Sequence, residues 1–178
     1  MRIAFLVFLL LFFLLTVFRT KIHRIAGESQ IPLPVRQELE ALALKALKHS
    51  DVPVAAVVTY QGNIIGKGYN TVMHDDEVHG HAEINALDDA MKKTGYEKFM
   101  VLDRKELVVY STFEPCEMCT GTLEHYNIRK VVYMKDKSIF HWWKNGLRSF
   151  YYQLSRRKAE GEALQDSLFL LHPDYPGK

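Results

Sequence analysis

Along this chain an unbroken apolar run gives way to periodic patterns, and the change divides the sequence. Residues 3–18, "IAFLVFLLLFFLLTVF", carry no charge, and Thr16 is their only polar residue. As a helix this run would be about 24 Å long, slightly short of a hydrocarbon core of about 30 Å. It is also longer than a signal-peptide apolar region, and Arg24 disturbs the approach to a small-residue cleavage site at Ala26. The run is therefore read as an uncleaved membrane anchor, with export after signal cleavage as the alternative. Arg19, Lys21 and Arg24 behind it outnumber Arg2 and the amino group in front, which sets the following domain on the cytoplasmic side. Residues 1–24 thus form the hydrophobic segment with its basic flank. Residues 25–33, with Gly27 and Pro32, form a linker, and residues 34–178 form the folded domain.

Within that domain the periods are those of an α/β protein. "PVRQELEALALKALKHS" (residues 34–50) places Val35, Leu39, Leu42 and Ala46 on one helical face, with a proline at the start. Residues 54–70 are two apolar runs around Gln61-Gly62-Asn63, the pattern of a β-hairpin. A helix is predicted over residues 82–93 with Ile84, Leu87 and Met91 inward. A buried strand follows over 106–112, a helix over 116–126, and a strand over 129–134. Strand, helix and strand in this spacing make a parallel pair. The predicted fold is a mixed sheet with helices on both faces. Beyond residue 135 the pattern supports a helix over 147–158 and a short last strand in "SLFLLH" (residues 167–172).

Composition adds limits. A length of 178 residues suits one well-cored domain, and 48% apolar with 25% charged residues describes a folded chain. The net charge of +2 provides no bulk basic field for a polyanion.

The candidate chemistry lies in two short stretches. Cys116 and Cys119, in "EPCEMC", are the only cysteines. Three residues apart on a helix, they share a face, and Pro115 puts them in the first turn, where the helix dipole favours thiolate. Such a pair is half of a zinc site, a redox pair, or two core cysteines. His81, in "GHAEIN", changes the balance. Two thiolates and one imidazole make three ligands, and no further cysteine exists to close a structural four-ligand site. Three protein ligands with a fourth place left for water is the pattern of catalytic zinc. Glu83, two residues on, suits general acid–base work beside that water. Its simpler reading is a first-turn charge at a helix N-terminus.

Together, "HAE" and "PCEMC" resemble the zinc-dependent cytidine/deoxycytidylate deaminase superfamily, whose signature is His-x-Glu followed by Pro-Cys-x-x-Cys. Residues 51–70, 81–87 and 111–121 look like the branch holding tRNA adenosine, guanine and cytosine deaminases. The resemblance covers residues 34–138. It implies a three-layer α/β/α fold around a sheet of about five strands, with Zn2+ on His81, Cys116 and Cys119 and Glu83 as proton shuttle. Asn70 matches a substrate-contacting asparagine, and the backbone N–H of Ala82 falls where the base is held. The implied reaction is hydrolytic deamination with release of ammonia. Ala55 stands where this branch usually has glycine.

The substrate expected from these features is a nucleobase, nucleoside or nucleotide of cytosine or guanine type. The alternative is tRNA-specific adenosine deamination, which the acidic loop residues Asp75, Asp76 and Glu77 disfavour by opposing phosphates. A membrane-tethered zinc module without activity is the lesser alternative, and Glu83 argues against it. The partners expected are thus a small nucleobase-type molecule and, through residues 3–18, a membrane, with nucleic acid and a second copy of the chain as secondary ones. "FHWWKNGLRSFYY" (residues 140–152) is read first as a helix packed on the sheet. Membrane-interface contact, subunit contact and base stacking are its other uses.

Overall fold

The computed structural model of the protein describes Val7, Leu11 and Phe12 and residues 30–138, 140–141 and 144–149. The apolar run of residues 3–18 therefore lies almost wholly outside the described residues. Among the described residues no helix is long and apolar enough to cross a membrane.

The first helix, α1 (Leu33–Lys48), starts behind Pro32 and buries Val35, Leu39 and Ala46. Its chain then enters a hairpin of β1 (Ala55–Tyr60) and β2 (Asn63–Tyr69). The turn is tighter than the three residues expected, because Tyr60 already pairs with Asn63. Gln61 and Gly62 both take positive φ, 50° and 79°, the two-residue turn whose twist matches its strands. Next come α2 (Ala82–Thr94) and a short helix, α3 (Tyr96–Met100). β3 (Leu107–Ser111), α4 (Glu117–His125) and β4 (Lys130–Tyr133) complete the order.

The four strands among the described residues lie in the order β2-β1-β3-β4. β1 is antiparallel to both β2 and β3, whereas β3 and β4 are parallel, with α4 as their crossover. This is the mixed sheet that the sequence predicts, with four strands in place of about five. The strand expected over residues 167–172 lies outside the described residues.

Alternation along β1 assigns the two faces. Ala55 and Val57 pack with Val35 and Leu39 of α1. Ala56 and Val58 point the other way, into a core shared with Ala86 and Ala90 of α2, Phe99 of α3 and Leu123 of α4. The methyl group of Ala55 is thus used against α1.

Two expectations for the helices need correction. In α2 the buried residues are Ala82, Glu83, Ala86, Leu87 and Ala90, while Ile84 and Met91 are only partly buried. The reason is the approach of α2 to β2. A Cβ on Gly68 would fall inside the backbone of Ala82 and Ala86, and one on Gly66 would lie 2.6 Å from Ala90 Cβ. Small residues therefore take the positions nearest β2, while Leu87 is buried as expected and Met91 packs partly buried against the same core. The second omission is α3, which follows the positive-φ Gly95 and carries the fully buried Phe99.

A second compact unit, Ile139–Lys178, is described only at residues 140–141 and 144–149, all helical. Phe140 is thus already helical ahead of the expected start at 147, and Asn145 Nδ2 lies 2.8 Å from His141 Nε2. Phe140 is well exposed.

Candidate metal centre

Two helix N-termini meet at the centre. His81 is the N-cap of α2 and Cys116 the N-cap of α4, and neither side chain caps its own helix. Both side chains are thus left to face one another, while the first-turn N–H groups supply a positive potential. Cys119, at the third helical position of α4, is fully buried behind them.

His81 Nδ1 lies 3.5 Å from Cys116 Sγ and 3.5 Å from Cys119 Sγ, and the two sulfurs are 3.6 Å apart. A tetrahedral zinc, with Zn–S near 2.3 Å and Zn–N near 2.0 Å, puts its sulfurs roughly 3.8 Å apart and sulfur and nitrogen roughly 3.5 Å apart. The measured triangle has these dimensions, and its soft sulfur and imidazole donors are those zinc prefers. His81, Cys116 and Cys119 thus form a site that fits zinc.

The two thiols are driven apart in acidity. Cys116 is brought down to about 4, chiefly by the hydrogen bond from Cys119, helped by backbone N–H groups of Cys119 and Met118 and by His81. Cys119 is pushed far up by its hydrogen bond to Cys116, by burial and by the Glu83 carboxylate beside it. Of the two thiols, Cys116 gives up its proton the more readily. A dication among them would favour both thiolates.

Glu83 is only 4% exposed. A solvated first-turn charge would stand in water, so this burial removes that simpler reading. Its Oε1 accepts a hydrogen bond of 3.2 Å from Ser111 Oγ, and its Oε2 lies 3.4 Å from Cys119 Sγ. One oxygen is therefore held from the sheet side while the other faces the ligand cluster. Ser111 Oγ also accepts from the N–H of Phe113 at 3.4 Å. Ser111 was not singled out from the sequence, although a signal exists. Leu107, Val109 and Ser111 share the buried face of β3, so a hydroxyl stands where a core residue belongs.

Asn70, just beyond the end of β2, is 8% exposed, and its Nδ2 donates to Asp51 Oδ1 at 3.0 Å. The next residue ties it to the metal helix. The Thr71 N–H donates to the Gly80 carbonyl at 2.8 Å, and Asn85 Nδ2 of α2 donates to the Tyr69 carbonyl and to Thr71 Oγ1. Ala82, the first residue of α2, is fully buried, and its N–H is among the first-turn groups that lack an intrahelical acceptor. Asp51, Thr71 and Asn85 are further members that the sequence reading passed over.

An N/S donor triad at the starts of two helices, its Cys119 fully buried and a buried carboxylate beside it, defines a zinc site in a protein of three-layer α/β/α type. The profile of the cytidine and deoxycytidylate deaminase zinc-binding region matches residues 35–135. The chain belongs to that family, whose matched region is a zinc-binding one. Among curated proteins, tRNA-specific adenosine deaminase 2 of Xenopus laevis is 33% identical over 110 residues, 57% of this chain and 63% of its own. The protein of that name from Danio rerio is 38% identical over 96 residues, covering 52% of this chain and 44% of its own. The chain thus spans about half the length of the curated relatives it matches. Among solved structures, one from a study of A-to-I editing by tRNA:A34 deaminases is 26% identical, with a TM-score of 0.51, over 58% of this chain and 75% of that one. Guanine deaminase from Bacillus subtilis shares the fold at a TM-score of 0.60 and 21% identity, over 82% of this chain and 99% of its own.

Proposed function

We propose that this chain deaminates the adenine of an adenosine in tRNA, converting its exocyclic amine to a carbonyl with release of ammonia. The observation that carries this reading is the identity of 33–38% with tRNA-specific adenosine deaminases from Xenopus laevis and Danio rerio. Support thus runs to the second of the two substrate expectations. A free purine base such as guanine is the second reading. What favours it is the exposed acidic loop of Asp75, Asp76 and Glu77, which would repel a phosphate backbone.

The chemistry we infer is the same for both. Zinc bound by His81, Cys116 and Cys119 would supply Lewis-acid activation of water for attack on the ring carbon that bears the amine. Glu83 takes a proton from the attacking water and delivers one to the departing amine, so that one carboxylate serves both transfers. Ser111 holds Oε1, which keeps Oε2 on the side of the ligand cluster. Burial of Glu83 keeps bulk water from competing for its proton. The Ala82 N–H and the Asn70 amide position the base. An unpaired adenosine is required, because a stacked and paired base cannot present its ring carbon to the site.

The test is to incubate the zinc-loaded full chain with a tRNA carrying an anticodon adenosine, with its anticodon hairpin and with guanine, and to measure inosine, xanthine and ammonia. Inosine in tRNA or the hairpin is the expected result. Xanthine without inosine would replace this reading with the free-base one.

A further inference from the structure

Asp51 is a carboxylate only 3% exposed, and it accepts three N–H donors. Oδ1 takes Asn70 Nδ2 at 3.0 Å and the Met73 N–H at 2.9 Å, and Oδ2 takes the His74 N–H at 3.1 Å. No lysine or arginine contacts it among the described residues; its charge is met by amide dipoles. Its own N–H donates to the Ala46 carbonyl at the end of α1. A buried acid so placed must connect something.

We propose that Asp51 is a positioning residue for substrate, acting through Asn70 and the start of the loop over residues 71–80. The inference rests on the reading of Asn70 as a substrate contact. A carboxylate can only accept, so the end of the Asn70 amide that faces Asp51 is its NH2 group, and Oδ1 is the end left for a ligand. Without Asp51 either end of that amide could turn inward. The same carboxylate holds Met73 and His74, at the start of the loop whose far end, Gly80, leads into His81. His74 is held a second time, with its ring centroid 4.1 Å from that of His49. Asp51 thus fixes the amide orientation and the loop entrance together, and it does so from the turn that follows α1, an element that carries none of the metal ligands.

The test compares wild type, Asp51→Ala, Asp51→Asn, Asn70→Ala and the Asp51→Ala/Asn70→Ala double variant at matched zinc content. The substrate is the anticodon hairpin or guanine, whichever wild type turns over. Asp51→Ala should lower kcat/KM by roughly ten- to a hundredfold, the scale set by misplacing a substrate contact. Asp51→Asn should fall between Asp51→Ala and wild type, because its remaining oxygen can still hold Asn70 while its NH2 meets the His74 N–H. In the Asn70→Ala background Asp51→Ala should add little, since the residue it orients is gone. Asp51→Ala within threefold of wild type, with Asn70→Ala impaired, would overturn the proposal alone. So would an equal loss from Asp51→Ala in both backgrounds. An unimpaired Asn70→Ala would instead remove the reading on which the proposal rests, and the proposal with it. Should Asp51→Ala fail to fold, the wild-type Asn70 side-chain amide protons decide by NMR, assigned from their loss in Asn70→Ala. Protection from exchange is expected, and exchange as fast as in a free asparagine side chain overturns the proposal.

Discussion

Zinc needs donors already close together, and here two helix starts supply them. His81 and Cys116 are N-caps whose side chains are free to face each other, and Cys119 stands one turn into α4. Because two of the three ligand atoms are sulfurs, removing both leaves a lone imidazole. The purified wild type should carry one zinc per chain. The Cys116→Ala/Cys119→Ala double variant should carry none by metal analysis, and unchanged zinc would place the metal elsewhere. Ser111 belongs to the same scale. Removing its hydroxyl leaves Oε1 of Glu83 without its 3.2 Å donor, so that the carboxylate is less well held. Ser111→Ala should keep zinc and lower kcat by about tenfold, at the low end of the range for partners that orient active groups. Steady-state kinetics at matched zinc content checks this.

Among the elements, α2 carries His81, Glu83 and Asn85, and its seat on β2 sets their positions. That seat depends on two glycines. Gly68→Ala would push a methyl group into the backbone of Ala82 and Ala86, which cannot move without shifting the helix start. The expected cost is about 3 kcal/mol, the upper end for overpacking, or a fall in Tm of roughly 10 °C. Thermal unfolding of the variant measures it, and Gly121→Ala, which meets nothing within 4 Å, is the control. The same seat explains what the sequence could and could not convey. Helices and strands were legible because apolar residues recur at their own periods, and the ligands because His-x-Glu and Cys-x-x-Cys have fixed spacings. The inward face of α2 was legible only in part, at Leu87. Its large residues suggested one face, whereas close approach to Gly66 and Gly68 selects alanines. Asp51 and Asn85 were not legible either, because their partners are backbone groups and side chains distant in sequence, which leave no spacing to read.

At the scale of the whole molecule, a sheet with helices on both faces gathers at one place groups contributed by α2, β3 and α4, with Asp51 and Asn70 supplied from beyond α1 and β2. Net charge is small, and the acidic loop adds local repulsion for phosphates. Recognition of RNA, if it is the substrate, therefore depends on the shape of an unpaired nucleotide more than on bulk attraction. What every substrate reading shares is the pairing of a zinc triad with one buried carboxylate. The most direct test is ammonia release by wild type and Glu83→Gln at matched zinc occupancy, on the tRNA hairpin or guanine that wild type turns over. Gln keeps the shape of Glu and leaves all three ligands in place, but its amide cannot take up a proton. The account predicts unchanged zinc content and a loss in turnover of about 10⁴, the upper end for general acid–base catalysis. A variant within threefold of wild type would contradict it.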